Sequence, residues 1–139
     1  MTGITRRQAA EAAAALFGAA ARQTHESRTY DPWEVMDREG KAWRFVYDAS
    51  IRGSRRLGLQ QVPTGDGVYK VEMNSPKLEY SELGKLQEVV RALRRAGAVV
   101  NESCGMHVHV DASRHTPRSL KNALSIMYSK EDILFKALH

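Results

Sequence analysis

The sequence predicts an α+β fold in which helices pack on one face of a mostly antiparallel sheet. Segments with the strand period of two and segments with the helical period are mixed along the chain. The turn residues Asp37 and Gly40 lie between two strand-like segments and indicate a hairpin, which joins antiparallel strands. The 139 residues contain 42% hydrophobic side chains, so we expect a single domain with its own core over residues 1–139.

The first half of the chain is expected to form one helix and a hairpin. Thr5 and Gln8 have the spacing of a capping box, and the helix that they begin should end near Arg22. The second arm of the hairpin is predicted over residues 42–48. Residues 52–67 contain four glycines, one proline and three arginines without an apolar period, which predicts a mobile loop.

The stretch "VEMNSP" predicts a strand that ends at Pro76. Side chains alternate between the two faces of a strand. The alternation therefore places Val71 and Met73 on one side and Glu72 and Asn74 on the other.

The second half of the chain is expected to add three helices, a short strand over residues 98–100 and a longer strand. Ser81 caps a helix with one apolar face, and Gly97 marks its end. Residues 105–111 alternate between apolar and polar side chains and predict a strand. Thr116, followed by proline at the first helical position, begins another helix, and Ser129 begins the last one.

Composition indicates an anionic partner and a reducing compartment. The net charge of +5 favours a nucleotide, a carboxylate substrate or a nucleic acid. Nucleic acid is not expected, because no basic cluster carries the interleaved aromatic residues of single-strand-binding proteins. The single cysteine, Cys104, excludes disulfides within the chain and zinc ribbons. Neither an export signal nor a membrane span is predicted, so we expect a cytoplasmic protein without membrane contact.

The stretch "GMHVHVDAS" carries the most specific pattern of polar residues in the chain. On a strand, His107, His109 and Asp111 would share one face, with the two imidazoles about 7 Å apart. That separation suits one metal ion or a cluster of metal and polyphosphate. The alternative is a half-exposed strand whose outward positions are polar without further function.

Two other polar groups are candidates for the same site. Glu72 lies in an otherwise apolar strand. With the histidines it would suit Mg²⁺ or Mn²⁺ if substrate phosphates and further carboxylates completed the coordination. Alternatively, Glu72 faces outward and pairs with an arginine. Asp48 and Ser50 follow a strand beside an arginine-rich loop. This predicts either a polar rim on which Arg52, Arg55 or Arg56 neutralises an anionic substrate or cofactor, or a solvated turn.

Three stretches together, "YDASI", "VEMNSPKL" and "LRRAGAVVNESCGMHVHVDA", closely resemble the amidoligase family. These phage and bacterial proteins are related to glutamine synthetase and glutamate–cysteine ligase, which are carboxylate–amine ligases. The resemblance covers most of residues 43–139, and "GMHVH" is also similar to a strand of glutamine synthetase.

The resemblance implies part of a glutamine synthetase-like catalytic core. In such a core, the concave face of an antiparallel sheet presents carboxylates and histidines to ATP and to several Mg²⁺ or Mn²⁺ ions. It implies that Glu72 and His107 are catalytic metal ligands and that His109 contacts the nucleotide phosphate. Further polar residues of the same face are implied at three positions: Asp48, Ser50 and Asn74.

The reaction implied is transfer of the γ-phosphoryl group of ATP to a carboxylate, followed by attack of an amine on the acyl phosphate to form an amide. The substrates would be carboxylates and amines of small molecules or peptides. Metal ions and basic side chains would stabilise the charge on the transferring group.

The family pattern also contains a strand with a G-x-E-x-E element before the first helix and an arginine beyond His139. The 139 residues contain neither, so we expect a fragment of a longer ligase or an inactive homologue. A sheet without its first strand would have an open edge, through which copies could pair as a homo-oligomer. Two other functions stay open: a non-catalytic basic module that binds nucleotide or nucleic acid, and a metal-dependent hydrolase that uses the histidines.

Overall fold

A computed structural model describes residues 1–24 and 32–138 of the chain. The chain divides into two compact units, Met1–Gly105 and Met106–His139, which are treated separately below. The single domain predicted for residues 1–139 stays a prediction. The architecture is α+β, as the sequence predicts, with a four-stranded antiparallel sheet and a separate two-stranded sheet in the first unit.

The described part of the first unit, residues 1–24 and 32–105, contains six strands. Their bounds are β1 Arg22–Gln23, β2 Trp33–Met36, β3 Ala42–Tyr47, β4 Ser54–Leu57, β5 Gln60–Pro63 and β6 Val71–Asn74. The larger sheet has the order β1-β2-β3-β6, and all of its neighbouring strands are antiparallel. Strand β6 therefore forms one outer edge of this sheet, and the two-residue strand β1 forms the other.

The first helix, α1 (Arg6–Phe17), begins at the predicted capping box. The Thr5 side chain accepts a hydrogen bond from the backbone of Gln8, and the Gln8 side chain bonds back to Thr5. The helix ends before Arg22, where the prediction placed its end, because Gly18 adopts a left-handed conformation with φ of 67°. A left-handed glycine terminates a helix by bonding the last free carbonyls.

A second helix, α2 (Leu83–Arg95), packs against α1, which in turn packs on β2 and β3. Side chains from all of these elements share one hydrophobic core. Its largest fully buried members are Trp43, Phe45, Val35, Val71 and Val89. The rings of Phe17 and Trp43 lie 5.6 Å apart, between α1 and β3. Short 3-10 helices cover Gly67–Tyr69 and Tyr80–Glu82.

The predicted loop over residues 52–67 contains a β-hairpin. Strands β4 and β5 pair with each other, and Gly58 turns the chain between them with φ of 61°. The hairpin could not be predicted from apolar alternation because most of its side chains are exposed. The predicted mobility of this segment stays a prediction.

Residues at the start of the chain join three segments that are distant in sequence. The Met1 amino group donates to the Val71 carbonyl at 2.7 Å, and Val71 N–H donates to the Met1 carbonyl at 3.0 Å. Thr2 exchanges backbone hydrogen bonds with Val99, and its hydroxyl accepts from Ser54 N–H at 2.6 Å. Thr2 is completely buried, so these bonds are shielded from water.

The second unit contains helices α3 (Pro117–Ser129) and α4 (Glu131–Leu138). Thr116 caps α3 by accepting from Ser119 N–H, which confirms the predicted helix start with proline at the first position. Many apolar side chains of both helices are exposed. Across residues 1–24 and 32–138, no helix combines the length and the apolar character needed to cross a membrane.

A buried carboxylate joins the β2–β3 turn to α2. One oxygen of Asp37 accepts from Lys41 N–H at 2.9 Å. The other accepts from Trp43 Nε1 and from Lys85 Nζ, both at 3.2 Å. Burial raises the pKa of Asp37, but its hydrogen bonds to Lys41, Trp43 and Lys85 lower it more, and the pKa stays below its ordinary value.

The ion pair between Lys41 and Glu82 predicts a loss of stability in acid. Lys41 Nζ lies 2.8 Å from each oxygen of Glu82, and the backbone N–H of Glu79 together with Lys41 lowers the Glu82 pKa from 4.5 to about 2. A carboxyl group whose pKa is lower in the folded than in the unfolded state stabilises the fold at pH values above its unfolded-state pKa. We therefore expect stability from this group to be complete above pH 4.5 and to be lost as the pH falls toward 2.

The measurement is the urea unfolding midpoint followed by tryptophan fluorescence between pH 7 and 2. Glu82→Gln should lose less stability on acidification than the unchanged protein. Glu88→Gln is the matched control, because it removes an exposed carboxylate from the same helix. An identical acid loss in all three proteins would contradict the assignment to Glu82.

Candidate functional site

The face of the larger sheet opposite α1 is polar and forms the candidate site. Strand pairing sets Arg22 beside Glu34, Glu34 beside Arg44, and Arg44 beside Asn74. Paired residues in an antiparallel sheet share a face, so these four side chains form one row across four strands. Glu72 lies on the same face, opposite Val46. We call Arg22, Glu34, Arg44 and Asn74 the polar row. Glu72 lies next to this row.

The centre of the polar row is a buried carboxylate held by two guanidinium groups. Glu34 is only 4% exposed. Its oxygens accept from Arg22 Nη2 at 2.7 Å and from Arg44 Nε at 3.0 Å. The hydrogen bond from Arg22 lowers the pKa of Glu34 most; burial opposes it, and Arg44 adds to the lowering. Glu34 is therefore ionised and orients both arginines on the open face.

Sequence reasoning missed Glu34, Arg22 and Arg44. Glu34 lies between Trp33 and Val35, and Arg44 between Trp43 and Phe45, so each is a charge within an apolar strand. That signal could have placed each on the polar face of its strand. It could not have shown that they pair, because pairing depends on the register of β2 against β3.

The structure confirms the predicted alternation of β6. Val71 is buried in the core and Met73 packs against it, whereas Glu72 and Asn74 are exposed on the opposite face. Glu72 therefore faces outward, which was the alternative weighed for it, and the expected cost of burying its carboxylate does not arise. An exposed carboxylate on this face is accessible to a cation or a substrate.

Asp48 and Ser50 form a local turn directly after β3. Ser50 donates to Asp48 Oδ1 through its N–H at 2.8 Å and through its hydroxyl at 2.6 Å. The prediction of a solvated turn therefore describes their local structure. Whether they also bind a cofactor stays a prediction.

Arg52 is tied to a second turn, over residues 101–103. Its guanidinium lies 3.0 Å from Glu102, and both side chains are more than two-thirds exposed, at 69% and 92%. The backbone of Arg52 donates to Ser103 Oγ at 2.8 Å and accepts from Asn101 Nδ2 at 2.9 Å. Ion pairs at such exposure contribute little stability, so the Arg52 guanidinium can exchange Glu102 for an anionic ligand at low cost.

The prediction of a strand over residues 105–111 is wrong. Residues 104–112 have no regular secondary structure, and both His107 and His109 are exposed. Asp111 accepts from Ser113 N–H and from its hydroxyl, both at 2.9 Å. Alternation alone does not form a strand, because a strand also needs a neighbour that bonds its backbone.

The predicted ligands of a metal lie in different units. Glu72 belongs to Met1–Gly105, whereas His107 and His109 belong to Met106–His139. Within residues 1–24 and 32–138, no group of three or more histidine, cysteine, aspartate or glutamate residues is arranged to hold a metal ion. Glu72 supplies an oxygen ligand of the type that Mg²⁺ prefers, but Mg²⁺ would need water and substrate phosphates to complete its coordination.

Comparison with known proteins gives one match. The family described as "Putative amidoligase enzyme" matches residues 1–139. Neither the curated proteins nor the solved structures include a match to this chain. The family match extends over the polar row, β6 and the histidine segment. The chain therefore belongs to the amidoligase family.

Proposed function

We propose that this chain contributes to ATP-dependent formation of an amide bond between a carboxylate and an amine. The observation that carries the proposal is the family match over residues 1–139, which names an amidoligase enzyme. The polar row supports it, because the carboxylate of Glu34 and the guanidinium groups of Arg22 and Arg44 lie on one face, where they suit charged substrates. The net charge of +5 also favours anionic ligands such as ATP.

Individual residues are proposed either as ligands of the metal ion or as contacts of the nucleotide. From the family resemblance, Glu72 is proposed as a carboxylate ligand of Mg²⁺, His107 as an imidazole ligand and His109 as a contact of the nucleotide phosphate. Bound Mg²⁺ would neutralise negative charge on the phosphates of ATP. Arg52, which is highly exposed, would bind the phosphates through its guanidinium group.

The proposed reaction has two steps. The carboxylate substrate attacks the γ-phosphorus of ATP, which releases ADP and leaves an acyl phosphate. The amine then attacks the acyl carbon, which releases inorganic phosphate and forms the amide. Arginines such as Arg22 and Arg44 would orient the carboxylate substrate, because a guanidinium group pairs with a carboxylate in a defined plane.

Replacing Glu72 by glutamine is expected to weaken Mg²⁺-dependent ATP binding by at least about tenfold, because the amide loses the negative charge that a hard cation needs. Isothermal titration of ATP with excess Mg²⁺ against the purified chain measures this effect. Glu88→Gln is the matched control, since it removes an exposed carboxylate from α2. His107→Asn should weaken binding in the same direction as Glu72→Gln.

Each result bears on a different function. Saturable binding with formation of a hydroxamate in the presence of ATP, hydroxylamine and a set of carboxylates supports the ligase. Binding of ATP without hydroxamate favours a non-catalytic nucleotide-binding module. Release of phosphate that is independent of any carboxylate favours a hydrolase. Equal ATP affinity of Glu72→Gln and Glu88→Gln would contradict the role given to Glu72.

A further inference from the structure

The backbone around Arg52 is anchored, although the Arg52 side chain is exposed. Ile51 and Gly53, the residues on either side of it, are buried. The Gly53 carbonyl accepts a hydrogen bond from Thr64 N–H at 2.9 Å. A Cβ atom on Gly53 would lie 2.8 Å from the Thr64 carbonyl oxygen, so glycine permits this close approach of two backbones. The chain therefore presents the Arg52 side chain to solvent from a fixed position.

Side chains of the turn over residues 101–103 bond both backbone polar groups of Arg52. Its N–H donates to Ser103 Oγ at 2.8 Å, and its carbonyl accepts from Asn101 Nδ2 at 2.9 Å. The Ser103 hydroxyl itself donates to Asn101 Oδ1 at 2.6 Å, which leaves its lone pairs to accept from Arg52. Water could satisfy exposed backbone groups equally well, so these contacts add a defined position for Arg52.

The third side chain of the same turn bonds the guanidinium group. Glu102 Oε2 lies 3.0 Å from Arg52 Nη2, and both side chains are largely exposed. Carboxylate and phosphate oxygens use the same N–H donors of a guanidinium group, so a phosphate that binds Arg52 competes with Glu102. A ligand with several negative charges is favoured in this exchange, because a single exposed ion pair is weak.

We propose that the turn over residues 101–103 positions Arg52 to bind a polyphosphate. Asn101 and Ser103 fix the backbone of Arg52, and Glu102 occupies its guanidinium group until the ligand displaces it. The inference rests on the proposed function only in identifying the natural ligand as ATP, and its binding step needs neither Mg²⁺ nor turnover. Asn101 and Ser103 are positioning residues, since they act through Arg52.

The probe is inorganic tripolyphosphate, titrated into the full chain without Mg²⁺ and followed by isothermal titration calorimetry. Arg52→Ala should weaken binding by about tenfold or more, because charge-assisted hydrogen bonds to phosphate are lost. Arg91→Ala is the matched control, since it removes an exposed arginine from α2 and lowers the net charge equally. Its effect on the affinity should be much smaller.

Replacing Ser103 tests positioning separately from charge. Ser103→Ala should weaken tripolyphosphate binding about two- to tenfold through loss of one hydrogen bond, and Ser103→Thr should restore it because the hydroxyl is kept. In the Arg52→Ala background, Ser103→Ala should have no further effect, since Ser103 acts through Arg52. Circular dichroism verifies that each variant is folded.

Replacing Glu102 tests the competition. Glu102→Gln should strengthen tripolyphosphate binding about two- to fivefold, because the ligand no longer displaces a carboxylate. Glu88→Gln, which removes an exposed carboxylate from α2, is the matched control for net charge. The gain from Glu102→Gln should disappear in the Arg52→Ala background.

Three results would overturn the proposal: no saturable binding, equal affinities of Arg52→Ala and Arg91→Ala, or equal affinities of Glu102→Gln and Glu88→Gln. Additive losses from Ser103→Ala and Arg52→Ala would also contradict it. The hydroxamate assay separates this inference from the ligase. Binding of tripolyphosphate that depends on Arg52, without hydroxamate, supports the inference and contradicts the ligase. Hydroxamate formation with equal affinities of Arg52→Ala and Arg91→Ala supports the ligase and overturns the inference.

Discussion

Replacing Trp43 by alanine is expected to lower the free energy of unfolding by about 3–5 kcal/mol, the range for removal of a large buried aromatic side chain. Trp43 is completely buried on β3. It packs against the Phe17 ring from α1 at 5.6 Å and donates to Asp37 at 3.2 Å. The alanine variant would leave a cavity between α1 and the sheet and would remove one of the two donors to Asp37 Oδ2, so that only Lys85 bonds this oxygen.

Urea unfolding followed by circular dichroism measures this loss without relying on the fluorescence of the residue removed. Trp43→Phe is the control, because it keeps an aromatic ring in the core but removes the indole donor. It should lose much less stability than Trp43→Ala. If the two variants were equally stable, packing of the indole ring between α1 and β3 would not be the source of the effect.

Asp37→Ala is expected to cost about 2–4 kcal/mol, because it removes a fully buried carboxylate, leaves the Trp43 indole N–H without its acceptor and takes from Lys85 one of its three carboxylate partners. The Asp37 side chain is fully shielded from solvent, and that of Lys85 is 20% exposed. Both Lys85 and Trp43 lose their shared acceptor in this variant. The β2–β3 turn would also lose the bond from Lys41 N–H that closes it.

Asp37→Asn separates charge from hydrogen bonding, since the amide oxygen can still accept from Lys41 N–H. We expect it to be more stable than Asp37→Ala but less stable than the unchanged protein. The combination of Trp43→Phe with Asp37→Ala should cost less than the sum of the single changes, because residues in contact are not independent. Strict additivity would show that the bond between Trp43 and Asp37 contributes nothing.

The parts of the fold that depend on local sequence could be predicted. The capping residues Thr5 and Thr116 fix the starts of α1 and α3 because each hydroxyl bonds a backbone N–H within the same turn. The alternation of residues 71–74 fixed which side of β6 faces the core, since side chains of a strand alternate regardless of its neighbours.

The parts that depend on contacts between distant residues could not be predicted. Glu34 and Arg44 pair only because β2 and β3 adopt one register. The β4–β5 hairpin forms from residues with no apolar period, because hydrogen bonds between the two paired backbones hold it together. Conversely, residues 105–111 have the alternation of a strand but no backbone neighbour among the described residues, and remain irregular.

The bonds between Met1 and Val71 have a practical consequence for purifying this protein. The Met1 amino group lies 2.7 Å from the Val71 carbonyl, in the position of a backbone N–H within a strand. An affinity tag fused ahead of Met1 would therefore continue along the edge of β6, with its last residue beside Glu72. Such a tag would compete with ligands of the polar face. The tag should therefore be cleaved before any binding assay.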